Sequence, residues 1–394
     1  MTSAARSNEN PLNLLAGTRV LDITTTLAGP YATQLLGDFG ADVIKIEPPT
    51  GDPVRDAGPR EHSDMGVLFM VSNRNKRSVT LDLRSPEGRA AVKALADTAD
   101  VVVHNMRMGA AERCGIDAST LRDGHPELIH CVVRGFGEGP YGDLAAYDDV
   151  IQCASGMAAQ QAWVGGFPQY AASGVADKIA ALAAAFVVST ALFRRSQTGD
   201  GASIEVPMFE MVTAFAMVEH LYGKAFVPPK GEARYPRQGT PMRRPFKTSD
   251  GHIGAVVYTN DHWQKFFAMI GRPELADDAR FATLQARTEH LDDVLKVVED
   301  TLASATTAEW AERLAAAGIP ARPYVTVDDL FDDEHLKAVD FFHRVTHPSE
   351  GEMVVIPTPI KVDGVRPGAG SAAPRLGADT DAVLAELGIA LPRR

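Results

Sequence analysis

The sequence predicts an α/β protein whose larger part is a parallel, doubly wound sheet, followed by a smaller domain of different rhythm. Three observations carry this. Short apolar runs alternate with helical patterns over the first half of the chain, at a spacing that suits strand–helix–strand crossovers. A stretch rich in proline, glycine and charge, Lys224 to Gly239, then interrupts the alternation. Beyond it come a hairpin and several helical segments. At 394 residues the chain has room for two domains.

Taken in order, Met1 to Pro11 is polar, lacks an apolar core and reads as a disordered leader. Arg19 to Ile23 is the first strand. Gly29 and Pro30 follow it, then a helical pattern through Leu35, Leu36 and Phe39 that stops at Gly40. Asp42 to Ile46, Ser78 to Leu83, Val101 to His104 and Leu128 to Val133 continue the sheet. Between them lies a helix from Pro86 to Ala96, with proline at its first position. A long apolar helix begins near Val175, Ala202 to Val206 is another strand, and Phe209 to Tyr222 another helix. In the second part, Phe246 to Tyr258 reads as a hairpin around Asp250-Gly251. Helices are expected near His262–Ile270, Leu291–Leu302 and Thr307–Ala317. Asp328 to Phe342 reads as helical, Val354 to Val362 as a strand and Thr380 to Leu387 as a last helix. The expected division is a leader at 1–11, a large domain at 12–223, a linker at 224–244, a small domain at 245–325 and a closing segment at 326–394.

Composition narrows the function classes. Hydrophobic residues make up 45% and charged residues 23%, as in ordinary soluble globular proteins. A net charge of −12 argues against a nucleic-acid or anionic-membrane surface. The cysteines, Cys114, Cys131 and Cys153, lie far apart without metal-ligand spacing, which fits a reducing, cytoplasmic setting and no structural metal. Val175 to Phe193 is apolar, but Asp177, Lys178, Ser189 and Thr190 interrupt it, so a buried core helix is expected and no membrane span. No G-x-G-x-x-G follows the first strand, and no P-loop, H-E-x-x-H or G-x-S-x-G occurs.

Chemistry concentrates in the stretch from Tyr147 to Arg195. Asp148 and Asp149 open it, a Gly-Gly-Phe-Pro turn breaks it, and Asp177 stands where the long helix begins. Carboxylates beside glycine turns and a helix N-terminus suit chemistry on a carbonyl, because backbone N–H groups there can hold an oxyanion. The plainer alternative is that Asp177 only complements the helix dipole, which should keep it ionised, and that Asp148 caps a helix beginning at Val150. Basic residues lie on the strand-end loops: Arg84, Arg107, Arg113 and Arg134, with the run Arg74-Asn75-Lys76-Arg77. On an acidic chain they suit either a phosphate pocket or a solvated rim.

Several pieces together carry a resemblance: RVLDITTTLAGPYATQLLGDFGADVIKIE, NRNKRSVTLDL, ADVVVHNMRMGAAERCGI, VVRGFGEGPYGD, YDDVIQCASG, GVADKIAALAA, RRSQTGDGASIEVPMFE and GRPELADDARFATLQAR. With these the chain resembles the class III CoA-transferases, a family that also contains 2-methylacyl-CoA racemases. The resemblance implies a Rossmann-like large domain made of both chain ends, an inserted small α+β domain and an interlocked homodimer. It implies coenzyme A as part of an acyl-CoA substrate, a carboxylic acid as the second substrate and no metal. The family's CoA contacts fall on Leu27 and Ala28, on Leu81 to Arg84, on Asn105 and Met106, on Arg113 and on Arg134. Leu27 stands where a glutamine often lines the thioester.

The family's nucleophilic aspartate lies seventeen residues after the acid of its Y-D/E motif, and Gly165 occupies that place. Asp177 matches an acid/base aspartate of the racemase branch, while Tyr147 stands where that branch has a histidine. Three carboxylates are therefore candidates: Asp177 first, Asp148 second and Glu138, in GFGEGP, third. The implied activity is CoA transfer through a covalent carboxylate intermediate. The alternatives are racemisation at an acyl-CoA α-carbon, or CoA binding with little catalysis.

Overall fold

The computed structural model describes residues 13–386 and 388, so the expected leader at 1–11 lies outside the described residues. The chain divides into two compact units. The first takes the chain up to Ser155, then Ala172–Thr213, then Glu334 onward; the second takes Gly156–Ala171 and Ala214–Asp333.

The first unit holds strands β1 (Arg19–Ile23), β2 (Asp42–Glu47), β3 (Lys76–Thr80), β4 (Val101–His104), β5 (Ile129–Arg134) and β6 (Ala202–Pro207). They form one parallel sheet in the order β3-β2-β1-β4-β5-β6. This is a doubly wound order, and it reverses between β1 and β4. Helix α1 (Ala28–Asp38) follows β1, α2 (Pro86–Ala96) precedes β4, and α3 (Met108–Cys114) follows it. Downstream along the chain lie α4 (Asp148–Ala154), α5 (Met157–Gly165), which belongs to the second unit, α6 (Val175–Thr198) and α7 (Met208–His220), whose residues after Thr213 belong to the second unit. The strands are apolar along their length because both sheet faces are covered. On one face, Leu21, Ile44, Val79 and Val102 meet Leu95 of α2, Ala111 of α3 and Leu384 of the helix Thr380–Glu386. On the other, α1 packs against α6 and the sheet. Local signals set the ends of α2: the Ser85 side chain accepts from the Gly88 N–H at 3.0 Å, and Pro86 occupies the first turn.

Three expectations shift. Strand β3 begins at Lys76, not Ser78, because Lys76 and Arg77 are paired within the fold and can be sheet residues. The acidic 328–342 stretch is helical only at Asp328–Phe331 and Glu334–Ala338. The strand expected to run on to Val362 ends at Val355, where Gly351–Val355 pairs antiparallel with His343–His347. Helix α6 buries only one side, through Ala176, Ala180, Ala184 and Val188; Leu182, Phe186 and Phe193 stand 57%, 74% and 70% exposed. The small alanine face is all that α1 and the sheet need. Among the described residues α6 is the helix long and apolar enough to cross a membrane.

In the second unit, Phe246–Lys247, His252–Ala255 and Ala321–Pro323 form an antiparallel sheet. Helices Asn260–Met269, Leu291–Leu302 and Thr307–Ala316 enclose Trp263, Phe266, Phe267, Leu302 and Trp310. This unit takes in 156–171 and the 224–244 stretch that the sequence suggests as a linker. That stretch is anchored. The Tyr235 N–H donates to His220 Nδ1 at 3.1 Å, and the Lys230 N–H to the Gly223 carbonyl at 2.9 Å.

Candidate active site

Ligands on doubly wound sheets bind outside the carboxyl ends of the strands, where the order reverses. Here that point is the gap between β1 and β4, and the loop leaving β1 is fastened residue by residue. The Thr25 N–H donates to Asn105 Oδ1 at 3.0 Å, and Asn105 Nδ2 returns a bond to the Thr25 carbonyl at 2.9 Å. Thr26 is left-handed at φ 74°, a conformation unfavourable for a β-branched residue, and its N–H donates to Asp52 Oδ1 at 3.1 Å. Lys45 Nζ donates to the Thr24 carbonyl at 2.8 Å and pairs with Asp52 at 3.0 Å. Beneath it, Lys76 Nζ meets Asp22 Oδ2 at 2.8 Å. All four charged side chains are fully buried. Burial alone would raise the Asp22 pKa, but the Lys76 and Lys45 ammonium groups overcome it and hold the carboxyl well below its usual range.

The two leading carboxylates meet nearby. Asp177 is the third residue of α6, whose N-cap, Gly174, has no side chain to offer the helix. Asp148 supplies the acceptor instead: its Oδ1 takes the Asp177 N–H at 3.0 Å, while Gln152 Nε2 donates to its Oδ2. Asp148 thus caps α6, not its own helix, which begins at Asp148 with Tyr147 at the N-cap. A Cβ on Gly174 would lie 3.4 Å from Leu27 Cδ2, 3.7 Å from Asp148 Oδ1 and 3.8 Å from Asp177 Oδ2, so these three side chains converge. The helix terminus does not govern the Asp177 carboxyl as expected. Burial, then the Asp148 charge, push its pKa up to about 6 against the opposing Lys178. At neutral pH it is still mostly a carboxylate, but a more basic one than an exposed aspartate.

Asp177 lines a cavity of about 460 Å3 together with Leu27, Ala28, Asn105, Met106 and Arg134 from the expected site. Helix α1 starts at its wall without a side-chain cap, leaving first-turn N–H groups as possible oxyanion donors. The other expected residues are placed differently. Glu138 is exposed in the loop after β5, its N–H bonded to Glu205 Oε1 at 3.0 Å. Leu81 is buried in the sheet core, and its N–H donates to the Glu47 carbonyl at 2.9 Å, so it is not open to a ligand as expected. Arg84 and Arg113 are exposed, and Arg84 pairs with Asp82 at 2.9 Å. Arg134 is held by Glu205 at 3.0 Å.

The Arg74–Arg77 run forms neither a phosphate pocket nor a rim. Arg74 reaches Asp38 at 3.4 Å and the Ile356 carbonyl at 3.2 Å, and Arg77 pairs with Asp42 at 2.6 Å and Glu386 at 2.7 Å. One N–H group in the GFGEGP loop and one in the Gly-Gly-Phe-Pro turn are also engaged. The Gly137 N–H donates to Glu210 at 3.1 Å, and the Gly166 N–H to the Ala162 carbonyl at 2.9 Å. Sequence reasoning missed Thr25, Thr26, Leu144, Ala146 and Met208 as cavity lining, and Gln152 as the partner of Asp148. Gln152 was detectable, since it lies four residues beyond Asp148 on one helix.

A model of CoA-transferase family III matches residues 15–380. The formyl-CoA:oxalate CoA-transferase of Streptomyces avermitilis is 33% identical over 366 residues, covering 88% of this chain and 89% of that protein. The succinate–glutarate CoA-transferase of Agrobacterium fabrum is 32% identical over 394 residues, covering 95% of each. The crystal structure of Rv3272 from Mycobacterium tuberculosis matches with a TM-score of 0.80 at 30% identity, covering 94% of this chain and 98% of that one.

Proposed function

The chain belongs to CoA-transferase family III, and on that premise we propose that Asp177 is the carboxylate through which it moves CoA from an acyl-CoA to a carboxylic acid. The observation that carries this is a partly buried carboxylate with a pKa near 6 opening into the cavity at the sheet's reversal point. A carboxylate of that basicity is a better nucleophile than an exposed one and is still ionised at neutral pH. Asp177 Oδ attacks the thioester carbonyl; the C–S bond breaks, leaving a mixed anhydride and CoA thiolate. The thiolate attacks the aspartyl carbonyl, releasing the donor acid and forming an enzyme–CoA thioester. The acceptor carboxylate displaces the thiolate in turn, and the thiolate then takes the acceptor acyl group, freeing Asp177. No water enters, so the thioester's energy is kept.

Gly165 has no side chain for this role, and the space a Cβ would need is filled by the Gln169 amide, 2.7 Å away. Incubation with acyl-CoA and hydroxylamine should therefore convert one aspartate to its hydroxamate, and peptide mapping should find it at Asp177. A label at Asp148 or Glu138 would reassign the nucleophile.

For CoA itself we infer contacts with Leu27, Ala28, Asn105, Met106 and the arginines. Arg113, exposed and outside any ion pair named above, is the best placed for a phosphate. Arg113→Ala should weaken CoA binding by about 1.5–3 kcal/mol, the size of a charge-assisted hydrogen bond. Unchanged calorimetric affinity in Arg84→Ala, Arg113→Ala and Arg134→Ala alike would mean the phosphates lie elsewhere.

We also read the chain as a cytoplasmic, interlocked homodimer. The apolar outer face of α6, with Leu182, Phe186 and Phe193, supports a partner there. Interlocked rings separate only by unfolding, so sedimentation at nanomolar concentration should show a dimer, and a folded monomer would end this reading.

A further inference from the structure

We propose that this site selects acyl groups that are apolar along their length and rejects those carrying a second carboxylate, with Leu27 setting the preference. The proposal rests on the assignment of CoA transfer to Asp177. Three observations point to it.

First, Leu27 Cδ2, Asp148 Oδ1 and Asp177 Oδ2 converge on Gly174. An acyl carbonyl within bonding reach of Asp177 therefore has Leu27 methyl groups beside its next carbons. Leu144, Ala145, Ala146 and Met208 extend the same cavity lining with apolar side chains.

Second, the polar backbone groups of the neighbouring loop are already used. The Thr25 N–H and carbonyl are bonded to Asn105, the Thr24 carbonyl to Lys45 and the Thr26 N–H to Asp52. What remains of that loop for a polar acyl chain is the Thr25 and Thr26 hydroxyls, since the first-turn N–H groups of α1 are the donors for the oxyanion, and a buried polar group without a partner is costly.

Third, the local charge is wrong for an anion. Asp148 and Asp177 are both acidic. Of the guanidinium groups lining the cavity, Arg134 is held by Glu205 at 3.0 Å and Arg107 is exposed to water at the start of α3, so neither offers a second carboxylate an unpaired, desolvated partner. Because the acceptor's acyl group occupies the same place in the last step, the acceptor is an apolar monocarboxylic acid as well.

The test is a competition between hexanoyl-CoA and succinyl-CoA, at equal concentration, for transfer to 13C-labelled butyrate, read by mass spectrometry on the full chain. Hexanoyl-CoA should be favoured in kcat/KM by about 100-fold or more, since each buried methylene is worth about fourfold and an unpaired carboxylate costs further. Leu27→Gln, nearly equal in volume but able to hydrogen-bond, should shrink the ratio about tenfold. Leu144→Gln, at a more exposed position, should move it the same way and serves if Leu27→Gln fails to fold. Transfer with no preference, a preference for succinyl-CoA, or a ratio unmoved in both variants overturns this proposal and leaves the transfer assignment standing. Intact thioesters and no hydroxamate across a wider donor panel would overturn both.

Discussion

Asp177→Asn should lose CoA transfer by on the order of 10^4-fold and yet unfold at a higher temperature than the parent at pH 7.5. The amide keeps the shape and the α6 first turn but cannot attack a thioester. The stability gain follows from the same pKa that suits the residue to catalysis. The Asp177 carboxyl stands at about 6 in the fold against 3.8 for the free side chain. A raised carboxyl pKa means that folding favours the protonated form. The stabilising contribution of protonated Asp177 is complete below about pH 4 and is lost as pH rises through about 6. At pH 7.5 the charged form costs about 2 kcal/mol, after allowance for partial exposure, and asparagine removes that cost. The gain should vanish at pH 4, where the parent is neutral too. In the parent, kcat/KM should fall below about pH 6, and Asp148→Asn should move that limb to lower pH by removing the like charge. A retained rate, with equal melting temperatures, would leave Asp177 as a helix-terminus acid.

Lys76→Met should destabilise the protein by about 3–5 kcal/mol in chemical denaturation, the usual cost of removing one partner of a buried ion pair. Lys76 Nζ is fully buried and serves Asp22 at 2.8 Å, the Pro30 carbonyl at 2.7 Å and Asn73 Oδ1 at 2.7 Å. Losing it strands three acceptors under the loop that carries Leu27. Asp22 is held well below its usual pKa in the parent, so its contribution survives to low pH. In the variant that pKa rises, and part of the loss should return between pH 7.5 and pH 5 as Asp22 takes up a proton. Asp22→Asn combined with Lys76→Met should be milder than Lys76→Met alone, because no buried charge is then left over. A loss below 1 kcal/mol, independent of pH, would show that water or Lys45 replaces the missing ammonium.

Much of the larger unit was legible because its signals are local. A run such as Val101 to His104 declares a buried strand from its own residues, and Ser85-Pro86 announces the start of α2 from the chemistry of a helix N-terminus. The same locality explains the misreading of Arg74 to Arg77. Four residues with three positive charges read as an anion site or a solvated rim when only their own stretch is considered. Their counter-charges, Asp22, Asp38 and Asp42, lie 54, 36 and 35 residues away from their partners in the chain. Linear spacing carries no sign of those pairs.

The site divides in the same way. The sequence by itself determined the alternation that makes the sheet, the loops at its carboxyl edge and the presence of acids at 148 and 177, each a property of neighbouring residues. Only the tertiary structure decided that Asp148 caps the helix bearing Asp177 across 29 residues. It also decided that Leu81 turns into the core, that Glu138 faces solvent and that Asp177 is raised, not lowered, in pKa. Those outcomes depend on desolvation and on charges brought together by the fold, and both are set by which distant segments pack side by side.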